Sequence, residues 1–306
     1  MHHPSIHRRR ILQSMLALSA LPMHAAFAGP AAAPLTRRIP SSGEAIPLVG
    51  LGSWITFNVG NDRPARTQAA AVMREFFAQG GRLIDSSPMY GSAQDVIGDA
   101  LQQLGRPAQL FSADKVWTSS DGPMQLEESQ RRWRIPRFDL IQVHNLLTWE
   151  QHLPMLLAMK AAGRLRYIGI TTSEGRRHAD VLKIMASQRI DFVQVSYNAI
   201  DREVEQRILP LARERGIAVI ANRPFRQGDL TNALRRHTLP PWAAEIGCST
   251  WAQLLLKFIV SHPDVTCAIP ATSQVAHVRE NMLAASGPMP DATMRNRIST
   301  HVASLL

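Results

Sequence analysis

Short apolar segments alternate with longer amphipathic segments through most of the chain. The apolar segments predict eight strands, at 48–51, 82–85, 110–115, 140–144, 167–170, 192–195, 218–221 and 266–269. Between them, apolar residues recur at helical spacing and predict helices at 64–79, 93–104, 125–133, 150–161, 176–186, 203–215, 250–261 and 274–284. Eight strand-then-helix units favour an α/β fold of the closed parallel (β/α)8 TIM barrel type over an open sheet.

The main structural alternative is a doubly wound dinucleotide-binding sheet, which needs G-x-G-x-x-G after an early strand. Gly50-Leu51-Gly52 is followed by Ser53-Trp54-Ile55, so the third glycine is missing, and no G-x-x-x-x-G-K-[ST] loop occurs. The two glycines therefore indicate close backbone approach at the top of the first strand. Ahead of the barrel, residues 37–40 and 45–48 flank the turn residues 41–44 and predict a short N-terminal β-hairpin.

The N-terminal segment has a different pattern. Arg8-Arg9-Arg10 precedes a modest apolar run at 14–27, which ends in the small-x-small cleavage pattern Ala26-Phe27-Ala28. This arrangement resembles a twin-arginine export signal, a route known for exporting folded proteins. A lipid-surface anchor and a short transmembrane helix remain alternatives. We therefore expect a signal peptide at 1–28, a linker at 29–36, a barrel at 37–306 and a periplasmic location reached through the export machinery.

Composition limits the classes of function. Apolar residues make up 45% of the 306 and charged residues 19%, which is typical of a globular protein. Cleavage would remove three arginines and lower the formal net charge from +10 to +7. The basic run 131–137 ends a predicted helix without a platform of stacking aromatic residues, so we expect no nucleic-acid partner. Cys248 and Cys267 belong to no metal-binding spacing, and no metal site is predicted.

Four side chains able to move or orient a proton lie at the ends of consecutive strands. Asp85, Lys115 and His144 finish three predicted strands, and Tyr90 lies in the turn after the first of them. In a barrel the carboxyl ends of the strands share one face, so these groups should meet. A lysine ammonium lowers the pKa of a neighbouring phenol from its usual value near 10, and a carboxylate can hold that lysine charged. The pattern predicts an enzyme with Tyr90 as general acid and His144 orienting the substrate oxygen.

The motifs that contain these residues resemble those of a known family. They are VGLGSW at 49–54, LIDSSPMYGSAQDVIG at 83–98, KVW at 115–117, LIQVHNL at 140–146, AAGRLRYIGIT at 161–171 and IPATSQVAHVREN at 269–281. From about Arg37 to Ala285 the chain resembles the aldo-keto reductases, which are (β/α)8 enzymes. The resemblance implies a catalytic tetrad of Asp85, Tyr90, Lys115 and His144, and hydride transfer to an aldehyde or ketone from NADPH, with NADH possible.

The resemblance also implies binding residues. Trp54 and Trp117 occupy positions that line the substrate pocket in the family, and Thr171, Thr172 and Gln194 occupy positions that bind the carboxamide of the cofactor. Further cofactor positions follow the first strand, follow the seventh strand and fall in the last unit: Gly52, Ser53, Asn222, Arg223, Pro224, Phe225, Thr272, His277, Glu280 and Asn281.

The chain departs from the family pattern on the cofactor side. Thr171-Thr172 replaces the usual Ser-Asn pair, and Asn222 stands where many relatives stack an aromatic ring on nicotinamide. Arg223 and Arg226 are expected to pair with cofactor phosphates instead. Ala271 replaces a lysine that some relatives use for the 2′-phosphate, so the choice between NADP and NAD stays open.

A second class of function also fits these motifs. The protein could be a monomeric enzyme, or a cofactor-binding subunit that senses redox state or binds a partner with little turnover. Short segments after Trp117 and after Gly228 suggest an open site that accepts several carbonyls.

Overall fold

Eight parallel strands form a closed barrel in the computed structural model, which describes residues 33–173 and 175–306. The eight strands of the barrel pair in chain order, and parallel bridges Val49↔Ala268 and Gly52↔Ala271 join the last strand to the first. The predicted (β/α)8 barrel and its N-terminal hairpin are therefore confirmed. The predicted signal peptide lies outside the described residues.

The strands and helices follow the alternation of the sequence. The strands are β1 Thr36–Arg38, β2 Ala45–Pro47, β3 Leu51–Gly52, β4 Leu83–Asp85, β5 Phe111–Val116, β6 Leu140–His144, β7 Tyr167–Thr171, β8 Phe192–Ser196, β9 Ala218–Asn222 and β10 Cys267–Ala268. The α-helices are α1 Arg63–Ala78, α2 Ala93–Gln103, α3 Gly122–Trp133, α4 Trp149–Ala161, α5 His178–Ser187, α6 Ile208–Arg215, α7 Asp229–Leu234, α8 Trp251–Val260, α9 Val275–Leu283 and α10 Ala292–Ser304.

Local sequence explains where several helices begin. The side chains of Asp62, Asp121 and Thr250 accept hydrogen bonds from backbone N–H groups in the first turns of α1, α3 and α8. The helix expected at 203–215 begins later, with a 3₁₀ turn at Glu203–Glu205 and α6 only from Ile208. Pro210 explains the difference, because its ring lacks the N–H that would bond to residue 206 and clashes with that carbonyl.

Two apolar layers hold the barrel together. The larger one lies between the strands and the surrounding helices, and the smaller one fills the inside of the barrel. Phe111, Tyr167 and Phe192 pack against one another inside it, and Ile39 and Ile46 of the hairpin are fully buried in the same cluster. Burying each such side chain contributes about 1.5–3 kcal/mol. The hairpin thus closes the amino-terminal end of the barrel and leaves the other end for a site.

Four helical segments of the described residues are additions to the sequence prediction. They are 3₁₀ helices at Arg226–Gly228 and Pro241–Ile246, α7, and α10, whose Ile298 and Val302 are buried. At the other end of the chain, β1 already includes Thr36, and the Leu35 N–H donates to Ala285 O at 2.7 Å, so the last residues of the predicted linker belong to the folded domain. No helix within the described ranges is long and apolar enough to cross a membrane.

Candidate active site

The carboxyl ends of adjacent strands bring the proposed catalytic groups together. Strand pairing places Asp85 opposite Ala113, Lys115 opposite Gln142 and His144 opposite Thr171. Residues two apart on a strand share a face, so Phe111 inside the barrel predicts that Lys115 also points inward. The packed aromatic layer therefore lies beneath the catalytic groups.

A buried ion pair forms the base of the site. Lys115 Nζ lies 2.6 Å from Asp85 Oδ2 and donates to Ser86 O at 2.7 Å, and the two side chains are 0% and 2% exposed. Gln194 Nε2 donates to the other oxygen of Asp85 at 2.9 Å. Burial alone would lower the pKa of Lys115, but Asp85 and Tyr90 raise it above its usual value. Lys115 is therefore a permanent ammonium at neutral pH, and Asp85 holds it in place.

Tyr90 lies beside this ammonium, with Lys115 Nζ 5.2 Å from the centre of the phenol ring. Lys115 lowers the pKa of Tyr90, as expected, but the net shift of this pKa is upward. Burial raises the pKa of Tyr90 above 10, and the opposing effect of Lys115 is too small to reverse this, because Asp85 and Asp114 also favour the neutral phenol. Tyr90 consequently keeps its proton at neutral pH, as a proton donor must.

The protonation of His144 follows from its neighbours. Ser87 Oγ accepts a hydrogen bond from the Met89 N–H at 3.2 Å and lies 2.7 Å from His144 Nδ1. Burial and the Lys115 charge lower the pKa of His144 to about 3, so the ring is neutral. In the tautomer in which the serine hydroxyl donates to Nδ1, the proton of the neutral ring is on Nε2. His144 can therefore donate through Nε2, and its ring meets Tyr90 edge-on with centroids 5.7 Å apart.

A cavity of about 550 Å³ opens over these groups. Most of the residues expected at the site line it: Gly52, Ser53, Trp54, Asp85, Tyr90, His144, Thr171, Gln194, Asn222, Arg223, Pro224, Phe225, Thr272, His277, Glu280 and Asn281. Lys115 lies beneath the lining, bonded to Asp85. Thr172 is buried and Trp117 is 39% exposed, and neither lines the cavity. The sequence-based placement of Trp117 in the substrate pocket is thus not supported by this cavity.

Thr171 and Gln194, which are expected to meet the carboxamide of the cofactor, are hydrogen-bonded to each other and to Asn222. Gln194 Oε1 lies 3.2 Å from Thr171 Oγ1, and Asn222 Nδ2 approaches the same oxygen at 3.4 Å. Asn222 Oδ1 in turn accepts from Ser196 Oγ at 2.8 Å. These contacts connect the ends of β7, β8 and β9. Gln194 therefore also has a structural role, since its hydrogen bond to Asp85 helps to hold that carboxylate in place.

The two arginines expected to meet cofactor phosphates have different surroundings. Arg226 Nε lies 3.2 Å from Asp201 Oδ2, and Arg226 lines a neighbouring polar cavity rather than this one. Arg223 is half-buried, lines both cavities and has a left-handed backbone with φ of 49°. Its guanidinium has no partner among the described residues. Arg223 is therefore the better placed of the two to bind a phosphate.

Several lining residues were missed by sequence reasoning. Asn145 directly follows His144, has φ of 50°, and buries an Oδ1 that lacks a hydrogen-bond partner in the described parts of the chain. Its position next to a proposed catalytic histidine was a usable signal. Arg235 and Trp251 also line the cavity, and Arg235 lies just beyond α7, which the sequence did not predict.

Unpartnered polar groups show that the cavity suits a polar, anionic ligand such as a nicotinamide dinucleotide. The side chain of Asn281 is 5% exposed, yet its amide has no hydrogen-bond partner in the described residues. Arg223, which is half-buried, and Arg235, which is exposed, also line the cavity without side-chain partners among the described residues. Buried polar groups are normally satisfied, so the open amide of Asn281 indicates that a ligand supplies its partner, and the two arginines add positive charge.

Two reductases of Escherichia coli and one solved structure resemble this chain over most of its length. The methylglyoxal reductase YeaE of Escherichia coli is 28% identical over 245 residues, covering 77% of this chain and 84% of that protein. The NADH-specific methylglyoxal reductase of Escherichia coli is 24% identical, covering 80% and 91%. An aldo-keto reductase from Klebsiella pneumoniae, solved in complex with NADPH, is 24% identical and superposes with a TM-score of 0.73, covering 88% and 95%.

A family model also matches most of the chain. Residues 48–299 match the model of the aldo/keto reductase family, and this range includes all four proposed catalytic residues. The predicted enzyme class, an NAD(P)H-dependent oxidoreductase that reduces a carbonyl, is confirmed at this level. The chain therefore belongs to the aldo/keto reductase family.

Proposed function

We propose that the protein reduces a small aldehyde or ketone to the alcohol, with Tyr90 as the proton donor. The observation that carries this proposal is the shared position of Tyr90 and His144 in the cavity wall, directly above the buried Lys115–Asp85 pair. When bound, the nicotinamide cofactor supplies a hydride to the carbonyl carbon. The residues of the chain must then bind the carbonyl oxygen and give it a proton.

Each catalytic side chain has a separate role. His144 donates from Nε2 to the carbonyl oxygen and places it near the hydroxyl of Tyr90. Tyr90 transfers its proton as negative charge develops on that oxygen, which leaves a phenolate. Lys115, held charged by Asp85, stabilises this phenolate until water returns the proton. The raised pKa of Tyr90 is consistent with this order, because the ammonium acts on the product of proton transfer rather than before it.

We propose a small 2-oxoaldehyde as the substrate class. Two relatives are named as methylglyoxal reductases, and the wall around the tetrad combines apolar Trp54 and Met89 with the polar Asn145. Trp54 and Met89 are 37% and 44% exposed, so the mouth of the site is open. A small substrate with a second carbonyl oxygen could use the unpartnered side chain of Asn145 for orientation.

The test is a turnover assay with purified protein. Methylglyoxal, a simple aldehyde and a simple ketone are each offered with NADPH and with NADH, and loss of reduced-cofactor absorbance is followed. We expect turnover that Tyr90→Phe abolishes while nucleotide binding persists. Tight nucleotide binding without turnover of any carbonyl would contradict the proposal and favour the cofactor-binding subunit.

We also propose that a monomer is exported folded through the twin-arginine route. The proposal is supported by Arg8-Arg9-Arg10, the apolar run after them and the cleavage pattern at Ala28. Fractionation of cells that express the full chain tests it, with light scattering of the purified protein for the oligomeric state. We expect periplasmic protein for the natural sequence and retention in the cytoplasm for Arg8→Lys/Arg9→Lys. Equal distribution of the two proteins would contradict export by this route.

A further inference from the structure

A buried carboxylate lies behind the catalytic lysine and does not line the cavity. Asp114 directly precedes Lys115 on β5 and is 0% exposed. Phe111 and Ala113 lie inside the barrel, so Asp114 is on the other face of β5, in the layer between the strands and the helices. A charged group in such an apolar layer is costly, and packing alone would be better served by an apolar residue. Asp114 is therefore a candidate for a role beyond the fold.

Hydrogen bonds connect Asp114 to the segments that carry Lys115 and Tyr90. Its Oδ1 accepts from the Lys115 N–H at 2.7 Å, and its Oδ2 accepts from Gln94 Nε2 at 2.8 Å. Gln94 belongs to α2, whose first N–H donates to Tyr90 O at 3.1 Å. We propose that Asp114 is a positioning residue for proton transfer, which acts through Lys115 on the acidity of Tyr90. This proposal rests on the proposed function, since it concerns the proton donor of that reaction.

The turn that carries Tyr90 is attached to β5 on both sides. Before the turn, Ser86 O accepts from Lys115 Nζ at 2.7 Å. After the turn, Gln94 donates to Asp114. These two contacts hold the phenol at a fixed distance from the ammonium, with Lys115 Nζ 5.2 Å from the centre of the Tyr90 ring. Asp114 thus supports the geometry on which the transfer of the Tyr90 proton depends.

The charge of Asp114 opposes the effect of Lys115 on Tyr90. Asp85 and Asp114 both raise the pKa of Lys115, and both also raise the pKa of Tyr90. Asp85 is needed to hold the ammonium in place. An ionised Asp114 adds a second negative charge, which makes the phenolate left after proton transfer less stable. Proton transfer from Tyr90 should therefore be faster when Asp114 is protonated.

The partners of Asp114 accept either protonation state of its carboxyl. Burial raises the pKa of Asp114 to about 7, although the charge and N–H of Lys115 and the hydrogen bond from Gln94 lower it. The Gln94 amide can rotate and present its oxygen to a protonated carboxyl, and Ser129 Oγ, 2.9 Å from Gln94 Nε2, can accept or donate. Asp114 can therefore gain and lose a proton near neutral pH and keep its hydrogen bonds.

The charged groups on the elements around Asp114 have partners of their own. On β4, Asp85 pairs with Lys115, and the residue opposite Asp114 on β6 is the apolar Ile141. The pKa of His144, at the end of β6, is about 3, so this ring stays neutral. The carboxylates of α2 and α3 all pair with arginines: Asp95 with Arg132, Asp99 with Arg66 and Arg134, Glu127 with Arg164, and Glu128 with Arg131 and Arg132. A change at Tyr90 near neutral pH is therefore assigned to Asp114.

The test compares Asp114→Asn with Asp95→Asn. Asparagine has nearly the shape of a protonated aspartate and cannot ionise, and Asp95, with a side chain 41% exposed, controls for the loss of one negative charge from the same region. The rate of NADPH oxidation in a single turnover with methylglyoxal is measured from about pH 6 to about pH 9. As pH rises through about 7, we expect the rate in the natural protein and in Asp95→Asn to fall about threefold or more relative to the rate in Asp114→Asn.

A second measurement does not depend on turnover. The chain has three tyrosines, so protein labelled with ¹³C at tyrosine Cζ gives three signals, and Tyr90→Phe identifies the signal of Tyr90. We expect this signal to shift with a midpoint at about pH 7 in the natural protein and in Asp95→Asn. In Asp114→Asn the signal should stay constant over the same range.

Two results would overturn the proposal. One is a rate profile of Asp114→Asn that runs parallel to that of the natural protein, because a purely structural residue would change the rate equally at every pH. The other is a Tyr90 signal that shifts in Asp114→Asn as it does in the natural protein. Failure of the proposed function has a different signature, because it would remove turnover in the natural protein and leave the pH-dependent shift of the Tyr90 signal in place.

Discussion

The two ends of the barrel both contain networks of charged groups, yet only one has the character of a site. At the amino-terminal end, Glu44 of the hairpin pairs with Arg82 at 2.9 Å and with Arg166, and Arg166 also reaches Asp139 at 2.6 Å. At the carboxyl-terminal end, the Lys115–Asp85 pair lies beneath an open cavity. Ion pairs alone therefore do not distinguish the catalytic end from the structural end.

The difference lies in what remains unpartnered. At the hairpin end, Tyr167 OH donates to Glu44 Oε2 at 2.8 Å and lies 2.7 Å from Ser42 Oγ, and both oxygens of Asp139 accept hydrogen bonds. At the cavity end, Arg223, Arg235 and the amide of Asn281 have no partners among the described residues. Satisfied networks stabilise a fold, whereas groups left open toward a cavity are available to a ligand.

The largest expected effect separates Tyr90 at the cavity end from Tyr167 at the hairpin end. Tyr90→Phe should lower kcat by about 10²–10⁴-fold, because the reaction loses its proton donor, with little change in stability. Tyr167→Phe should instead lower the free energy of unfolding by about 1–2 kcal/mol, because it removes hydrogen bonds to Ser42 and the carboxylate of Glu44, and should leave kcat unchanged. Steady-state kinetics and urea unfolding of both variants measure this. Equal losses of kcat in Tyr90→Phe and Tyr167→Phe would contradict the assignment of one end to catalysis and the other to stability.

Two lysine–aspartate pairs of equal length give the next comparison. Lys115–Asp85 and Lys160–Asp191 both have 2.6 Å contacts, but Lys115 is 0% exposed and Lys160 is 37% exposed. Lys115→Met should abolish turnover and cost about 3–5 kcal/mol, because it leaves Asp85 charged and buried. Lys160→Met should cost less, about 1–3 kcal/mol, because Asp191 is itself only 5% exposed but keeps a hydrogen bond from the Ile168 N–H at 3.0 Å, and it should leave turnover intact. A loss of activity in Lys160→Met comparable to that of Lys115→Met would contradict the division of roles.

The sequence predicted the fold and the tetrad for related reasons. Alternation of apolar strands with amphipathic helices indicates a barrel, and a barrel in turn places the strand-end residues Asp85, Lys115 and His144 on one face. Hydrogen bonds between side chains inside the barrel produce no repeating pattern in the sequence. The contact of Gln194 with Asp85 could therefore not be predicted. The sequence indicated the lowering effect of Lys115 on the pKa of Tyr90, but not the larger opposing effect of burial, because burial is a property of the packed structure.

Residues beyond the tetrad depend on local structure that the sequence pattern does not show. Trp117 immediately follows the end of β5, where Gln125 of α3 holds its backbone, with Gln125 Oε1 2.6 Å from the Trp117 N–H, and Trp117 does not line the cavity. Helix α7 has six residues, too few for a clear helical period, so the position of Arg235 at its end could not be predicted. Both residues lie in loops after the strands, which set the binding properties of the site.

A smaller effect, confined to the hairpin end, concerns Glu44. Burial opposes ionisation, but hydrogen bonds from Tyr167 and Arg82 together with the charge of Arg166 hold the pKa of Glu44 below its usual value. A depressed pKa contributes stability above the unfolded-state pKa of about 4.3, and this is lost as pH falls through the folded-state pKa. Glu44→Gln should therefore be less stable than the natural protein at pH 7, with a deficit that shrinks below about pH 4. Thermal unfolding across this range, with kcat at pH 7 unchanged, checks the prediction, and a deficit independent of pH would contradict it.

The smallest expected effect is a pH dependence at the catalytic end, where Asp114 is fully buried behind Lys115. Asp114 accepts from Gln94 Nε2 at 2.8 Å and from the Lys115 N–H at 2.7 Å, and burial raises the pKa of its carboxyl to about 7. A raised pKa means that the folded state holds a proton which the unfolded state has lost, so this contribution to stability falls as pH rises from about 4 to 7.

Asp114→Asn should remove that fall. The free energy of unfolding of the variant, relative to that of the natural protein, should therefore be higher at pH 8 than at pH 5. Ser129→Ala is the control, because it removes the other partner of Gln94, at 2.9 Å, and this partner does not titrate. The difference in stability between this variant and the natural protein should be independent of pH. Parallel curves for Asp114→Asn and the natural protein would show that the catalytic end, like the hairpin end, has no carboxyl that titrates near neutrality.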